Sequence, residues 1–204
     1  MYNKASKRLI LTQIFLIFVL PVAVLYFKIL SANWRVVLLA VSALFIYGII
    51  RHEHWTHEDM GVRHDNLKKA FPFYLFFTIL GIGTLFLIDG KMGMSNIGTK
   101  EFFIRTFVFF LPVSFFQEFA FRSFLIPRLK EIFQNKFTII FVNALLFTMI
   151  HVIYPNLGIG LPLAFVSGIF FAWLYLKYPN LLLISLAHSA LNVVAVLLGF
   201  FYIS

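Results

Sequence analysis

Residues 102–127 read FFIRTFVFFLPVSFFQEFAFRSFLIP. The run is long enough to cross a bilayer as a helix and is almost wholly apolar. Its ionisable residues are Arg105 near one end and, deep inside, Glu118 and Arg122. Each charge held at the centre of a spanning helix costs about 2.5–3.5 kcal/mol on insertion scales, so membrane insertion does not explain these two. They need a task. Four residues apart, they share one helix face and can pair. The plainest role for such a pair alone is a staple between helices.

Working outward, six further apolar runs surround this one: Leu9 to Leu30, Trp34 to Ile50, Phe71 to Ile88, Phe137 to Ile153, Leu161 to Leu176 and Leu181 to Ile203. Of 204 residues, 61% are hydrophobic and 12% charged, and the mean hydropathy is +0.93. That leaves too little polar surface to cover a water-soluble globule. In lipid the backbone must satisfy itself, and long rather than alternating runs select helices over a barrel. The expected fold is all-α: a polytopic transmembrane helix bundle of about seven spans, six to eight. It forms a single membrane domain over residues 1–204. The sixth run is short, and Tyr154 to Gly160 before it, with Pro155 and two glycines, reads as an irregular connection at the membrane edge.

The net charge of +9 is spread over short loops, where it reports orientation and contact with anionic headgroups rather than nucleic acid. With the N-terminus cytoplasmic, the inside loops hold Lys4, Lys7, Arg8, Arg51, Arg63, Lys68, Lys69, Arg128, Lys130, Lys136 and Lys177, against Lys28, Arg35, Lys91, Lys100 and Arg105 outside. The N-terminus is therefore expected inside. The chain is expected to be integral to a membrane, the plasma membrane if the source is bacterial. Lys4, Lys7 and Arg8 precede a first run too long for a signal-peptide core. The chain has no cysteine, so thiolate chemistry is excluded.

The polar stretch from Arg51 to Lys69 contains His52, Glu53, His54, Trp55, Thr56, His57, Glu58 and Asp59. A zincin places its two histidines four apart on one helix face. Here His52 and His57 are five apart and diverge by about 140° on a helix. A solvated juxtamembrane helix with Trp55 as interfacial anchor is expected instead.

Two other pairs repeat the four-residue spacing within apolar runs: Phe147 with His151, and His188 with Asn192. Each pair lies on one helix face. A single buried histidine is more often a hydrogen-bonded core residue than a catalyst; three such sites in the C-terminal half point to chemistry. A turn near Gln134 and Asn135 leaves Glu118 and His151 each about 16 residues away, at matching depth. His188 lies about nine residues beyond Tyr178 and Pro179, opposite Ile169, a depth mismatch with His151 of about 6–12 Å. A convergent set would supply peptide hydrolysis: Glu118 as general base or water-orienting carboxylate, Arg122 as its electrostatic partner, His151 as a second water or metal contact, and His188 and Asn192 to polarise the carbonyl. Glu118, His151 and His188 could alternatively hold a divalent metal such as zinc. Ion or proton transport also uses buried charges, but no internal repeat supports it.

The three motifs are Gln117-Glu118-Phe119-Ala120-Phe121-Arg122, Phe147-Thr148-Met149-Ile150-His151 and His188-Ser189-Ala190-Leu191-Asn192. In order and placement they resemble the CPBP family of intramembrane proteases, which includes type II CAAX prenyl endopeptidases and bacterial Abi or bacteriocin-immunity proteins. The family pattern is EExxxR, FxxxH and Hxxx[ND]. The resemblance covers about Phe102 to Leu198, with a weaker echo at Glu58 to Arg63. It implies a catalytic core over 102–198 and an endopeptidase acting on a membrane-associated peptide or a C-terminally lipidated protein. One position departs from the pattern. The family's first glutamate, to which the resemblance assigns activation of water, is Gln117 here, and an amide cannot accept that proton. A catalytically impaired immunity or regulatory protein of the same fold is the alternative.

Overall fold

The structure is a computed structural model and describes residues 5–88, 104–154 and 157–200. Among these residues every regular element is helical. Seven helices follow in order: α1 (Lys7–Tyr26), α2 (Ala32–His52), α3 (Leu67–Ile88), α4 (Phe107–Ile132), α5 (Lys136–Ile153), α6 (Leu157–Lys177) and α7 (Leu181–Leu197). The first six are long and apolar enough to cross a membrane, and α7 is a shorter apolar helix of 17 residues. The expected polytopic bundle is what forms. The expected start of the fourth span at Phe102, the end of the last at Ile203, and Lys91 and Lys100 lie outside the described residues.

Several boundaries move for identifiable reasons. The first helix stops at Tyr26, not Leu30, because Lys28 adopts φ 57° and closes a Schellman turn, with Ile29 N–H on the Val24 carbonyl and Lys28 N–H on that of Leu25. The sixth begins at Leu157, not Leu161, and absorbs Gly158 and Gly160, which were expected to lie in an irregular connection. Asn135 and Asn180 start α5 and α7 by accepting the backbone N–H groups of Phe137 and Leu183.

Three prolines leave a common mark. π-Helical stretches at Phe15–Val19, Arg105–Phe110 and Phe119–Leu125 each end two residues before a proline: Pro21, Pro112 and Pro127. Proline has no N–H to give and its ring collides with the carbonyl four residues back. The wider turn just upstream relieves that conflict without ending the helix.

α4 is the central helix: 61% of its most apolar window is buried, against at most 28% in any other spanning helix. α5 and α6 pack so closely that a Cβ on Gly168 would lie 3.1 Å from Ala144 Cα. α7 packs between α3 and α4, with Leu191 against Gly81.

The connection between α2 and α3 departs from the expected solvated helix. After His52 the chain runs as turns, and Trp55 is buried, stacked on Phe124 of α4 with ring centroids 5.9 Å apart. Beside it the fully buried Arg128 bonds Glu53 at 2.5 Å and Glu131 at 2.9 Å. Ser123 Oγ and Tyr175 Oη both donate to the Met60 carbonyl, at 2.6 and 3.0 Å. These contacts are made by groups that a spanning helix cannot otherwise satisfy, so the loop is pulled inward as a plug. Gly61 has φ 69°, and a Cβ there would collide with the Tyr175 phenol. Gly48, by contrast, has open space around it. Gly61→Ala is expected to cost about 2 kcal/mol or more from left-handed strain and overpacking, whereas Gly48→Ala is expected to be neutral or stabilising by up to about 1 kcal/mol. Thermal unfolding of the two variants in detergent checks this order.

Candidate functional site

α4 carries Ser114, Gln117, Glu118 and Arg122 through the middle of the bundle. Ser114, Glu118 and Arg122 succeed one another at four-residue steps and have no exposed surface. The π-helical stretch begins directly after Glu118, a feature that recurs at functional sites. It is braced from outside: Asn143 Nδ2 of α5 donates to the Phe121 carbonyl at 2.7 Å.

Both carboxylate oxygens of Glu118 are engaged. His188 Nδ1 lies 2.6 Å from Oε1, and Arg122 Nε lies 3.2 Å from Oε2. The second contact is an ion pair without hydrogen-bond alignment, and the Arg122 nitrogens have no hydrogen-bond partner among the described residues. Aromatic faces surround the guanidinium instead, with ring centroids of Phe147, Phe171 and Phe121 at 4.6, 5.6 and 5.8 Å. Negative ring faces supply part of what water would.

The structure brings His188 and His151 to the same ring. Phe147 is 5.6 Å from the His188 ring and 5.1 Å from that of His151, centroid to centroid. The depth mismatch inferred from residue counting closes because α6 begins earlier than expected and sets Phe171 against His188 at 5.4 Å. His151 Nδ1 donates to the Phe147 carbonyl at 3.0 Å, which makes Nε2 the acceptor nitrogen. Asn192 Nδ2 donates to Ser114 Oγ at 3.1 Å. The pairs at four-residue spacing do not include Ser114, although a serine four residues before Glu118 extends the same polar face.

A cavity of about 150 Å³ opens beside this cluster. Gln117, His151 and Asn192 line its polar side; Ile17, Phe18 and Phe109 are among its apolar walls. Glu118 and His188 are not on the wall. Among the described residues of the lining, Arg35 is the only formally charged side chain, and it lies 5.8 Å from the ring centroid of Tyr154, also on the wall. Burial raises the Tyr154 phenol above its ordinary pKa, so Arg35 meets a neutral ring.

The expected metal set does not fit this arrangement. Among the described residues no three His, Asp or Glu side chains converge as a metal ion requires. Zinc held by Glu118, His151 and His188 would have to displace the Glu118–His188 hydrogen bond, next to the positive charge of Arg122.

Residues 99–194 match the family described as type II CAAX prenyl endopeptidase Rce1-like. Over that stretch the chain is similar to the Rce1-like family. The match takes in all three motifs and bears out the resemblance read from them. Rce1-like proteins are in general membrane-embedded hydrolases. No curated protein and no solved structure matches the chain.

Removing one partner of a buried pair costs more than removing both. Arg122→Leu is therefore expected to destabilise the protein by about 3–5 kcal/mol, and Glu118→Gln added to it to recover a large part. A double-mutant cycle by unfolding in detergent checks the pair, and strictly additive losses would show that it is not coupled.

Proposed function

We propose that this chain is an intramembrane endopeptidase for a membrane-associated peptide, its N-terminus cytoplasmic and its cleavage chamber the cavity lined by Gln117, His151 and Asn192. The observation that supports this most is the division between wall and cluster. Residues of the three motifs share one site, yet Glu118, Arg122 and His188 form a sealed pairing behind it, while one member of each motif faces the space a substrate would enter.

In this reading His151 Nε2 takes a proton from a water that the Gln117 amide orients. The water oxygen adds to the scissile carbonyl carbon, and Asn192 Nδ2 turns from Ser114 to donate to the developing oxyanion. The C–N bond then breaks and His151 returns its proton to the leaving amine. Glu118 and Arg122 hold His188 and the α4–α7 spacing that places Asn192. This role for Glu118 is that of a positioning residue, since both its oxygens are engaged.

Gln117 on the wall supports a second reading. With an amide where the Rce1-like pattern has a carboxylate, the same chamber would bind a peptide without cutting it. Cleavage of a fluorogenic peptide library by detergent-purified wild type, Gln117→Glu and His151→Ala separates the two. A positioned base contributes about 10²–10⁴-fold, so Gln117→Glu is expected to raise the rate by about 10-fold or more and His151→Ala to abolish it. A silent wild type with an active Gln117→Glu would establish the binding protein. Silence in all three would refute a protease scaffold altogether.

A further inference from the structure

The chamber belongs to one face of the bundle. α1 contributes its second half (Ile17 to Leu25), α2 its first half (Arg35 to Ser42), α4 its first half (Phe109 to Phe121), α5 its end (Ile150 to Tyr154) and α7 its end (Asn192 and Val196). Successive helices of an up-and-down bundle alternate in direction, so all five segments lie toward the same side.

The opposite side is closed and cationic. There the α2–α3 loop lies over the end of α4, with Trp55 stacked on Phe124 and Met60 bonded by Ser123 and Tyr175. That side carries Lys7, Arg8, Arg51, Arg63, Lys68, Lys69, Arg128, Lys130, Lys136 and Lys177. Among the described residues the chamber side carries Lys28 and Arg35. The sequence places Lys91, Lys100 and Arg105 between α3 and α4 as well, which narrows the excess but leaves it on the closed side. An excess of Lys and Arg in short loops marks the cytoplasmic side.

We infer that the chamber is entered from the non-cytoplasmic side, and that its substrate is a peptide segment anchored in or delivered to the outer leaflet. The side of entry stands on the charge and packing asymmetry alone; the peptide as occupant rests on the function proposed above. An outward mouth excludes cytoplasmic lipidated proteins as substrates and selects exported or outer-leaflet-anchored ones. The sealed face explains how a chamber with one polar side persists in the bilayer without leaking to the cytoplasm.

The chain has no cysteine, so single-cysteine variants of the full chain report the side directly. Lys28→Cys and Val36→Cys sit on the chamber side, Val36 on the wall itself; Lys69→Cys is exposed on the other side. In spheroplasts of a bacterial host, a membrane-impermeant maleimide is expected to label the first two at once and Lys69→Cys only after permeabilisation. The reverse pattern overturns the inference. Leu39→Cys, also on the wall, replaces Val36→Cys if that variant does not fold. The occupant is tested separately with an N-palmitoylated peptide added outside, which is expected to slow labelling of Val36→Cys at least threefold and leave Lys28→Cys unchanged. The expected sidedness without protection would overturn the peptide occupant and leave the direction of entry standing.

Discussion

A carboxylate with no exposed surface, in a bundle whose solvent is lipid, must be neutralised from within the chain. Arg122 does this for Glu118 at 3.2 Å, and the cost is passed to the rings around it. The guanidinium has no other anion and no hydrogen-bond partner among the described residues, so it needs the faces of Phe121, Phe147 and Phe171. Phe147 is thereby held on α5, and its ring contacts both histidines. Gly168 follows from the same demand: with Ala144 Cα and the Phe147 ring both against α6, a side chain at 168 has no room. Breaking the pair would leave two buried charges and loosen the helix contacts that set the site's dimensions.

The prolines explain why α4 can serve both as a spanning helix and as the carrier of this cluster. Pro127 forces a wider turn over Phe119–Leu125, and a wider turn exposes backbone carbonyls that an ordinary helix would satisfy. Asn143 binds the one at Phe121. Ser123, in the same stretch, reaches out to Met60 in the inward-folded loop. The irregularity next to Glu118 is thus tied to α5 on one side and to the α2–α3 loop on the other.

Most of the fold was legible because lipid leaves so few choices. Runs of apolar residues longer than a bilayer's thickness have to be helices; about seven were read, and among the described residues six span-length helices and one shorter apolar helix formed. The four-residue spacings placed Glu118 beside Arg122, since that relation depends on one helix alone. Relations between helices were harder. Counting from turns put His188 a turn or more away from His151, because it took the chain up to Gly160 as irregular, when Gly158 and Gly160 fit inside the opening turn of α6. Trp55 was read as an interfacial anchor, a role that its composition allows, but its place is decided by Arg128 and Phe124, far away in sequence. The π-helical stretches were legible in principle from Pro21, Pro112 and Pro127, each inside an apolar run too long to end there.

Neighbouring positions on one helix differ by about 100°, and that angle separates Gln117 from Glu118. One faces the chamber, while the other faces the sealed pair with His188. In the proposed mechanism a carboxylate at 118 does not stand in for one at 117, however close in sequence, because moving it to the wall would strand Arg122. In that mechanism the proton acceptor comes from the wall itself. There His151 has its Nδ1 committed to the Phe147 carbonyl, and its Nε2 is the strongest base the lining offers. Exchanging glutamate for glutamine at 117 removes a negative charge from the chamber but keeps an amide able to hold water and peptide, so binding and positioning survive where base strength falls. The protease and the peptide-binding readings share every contact of this wall and differ in one proton transfer, which is why residue 117 carries the distinction and residue 118 does not.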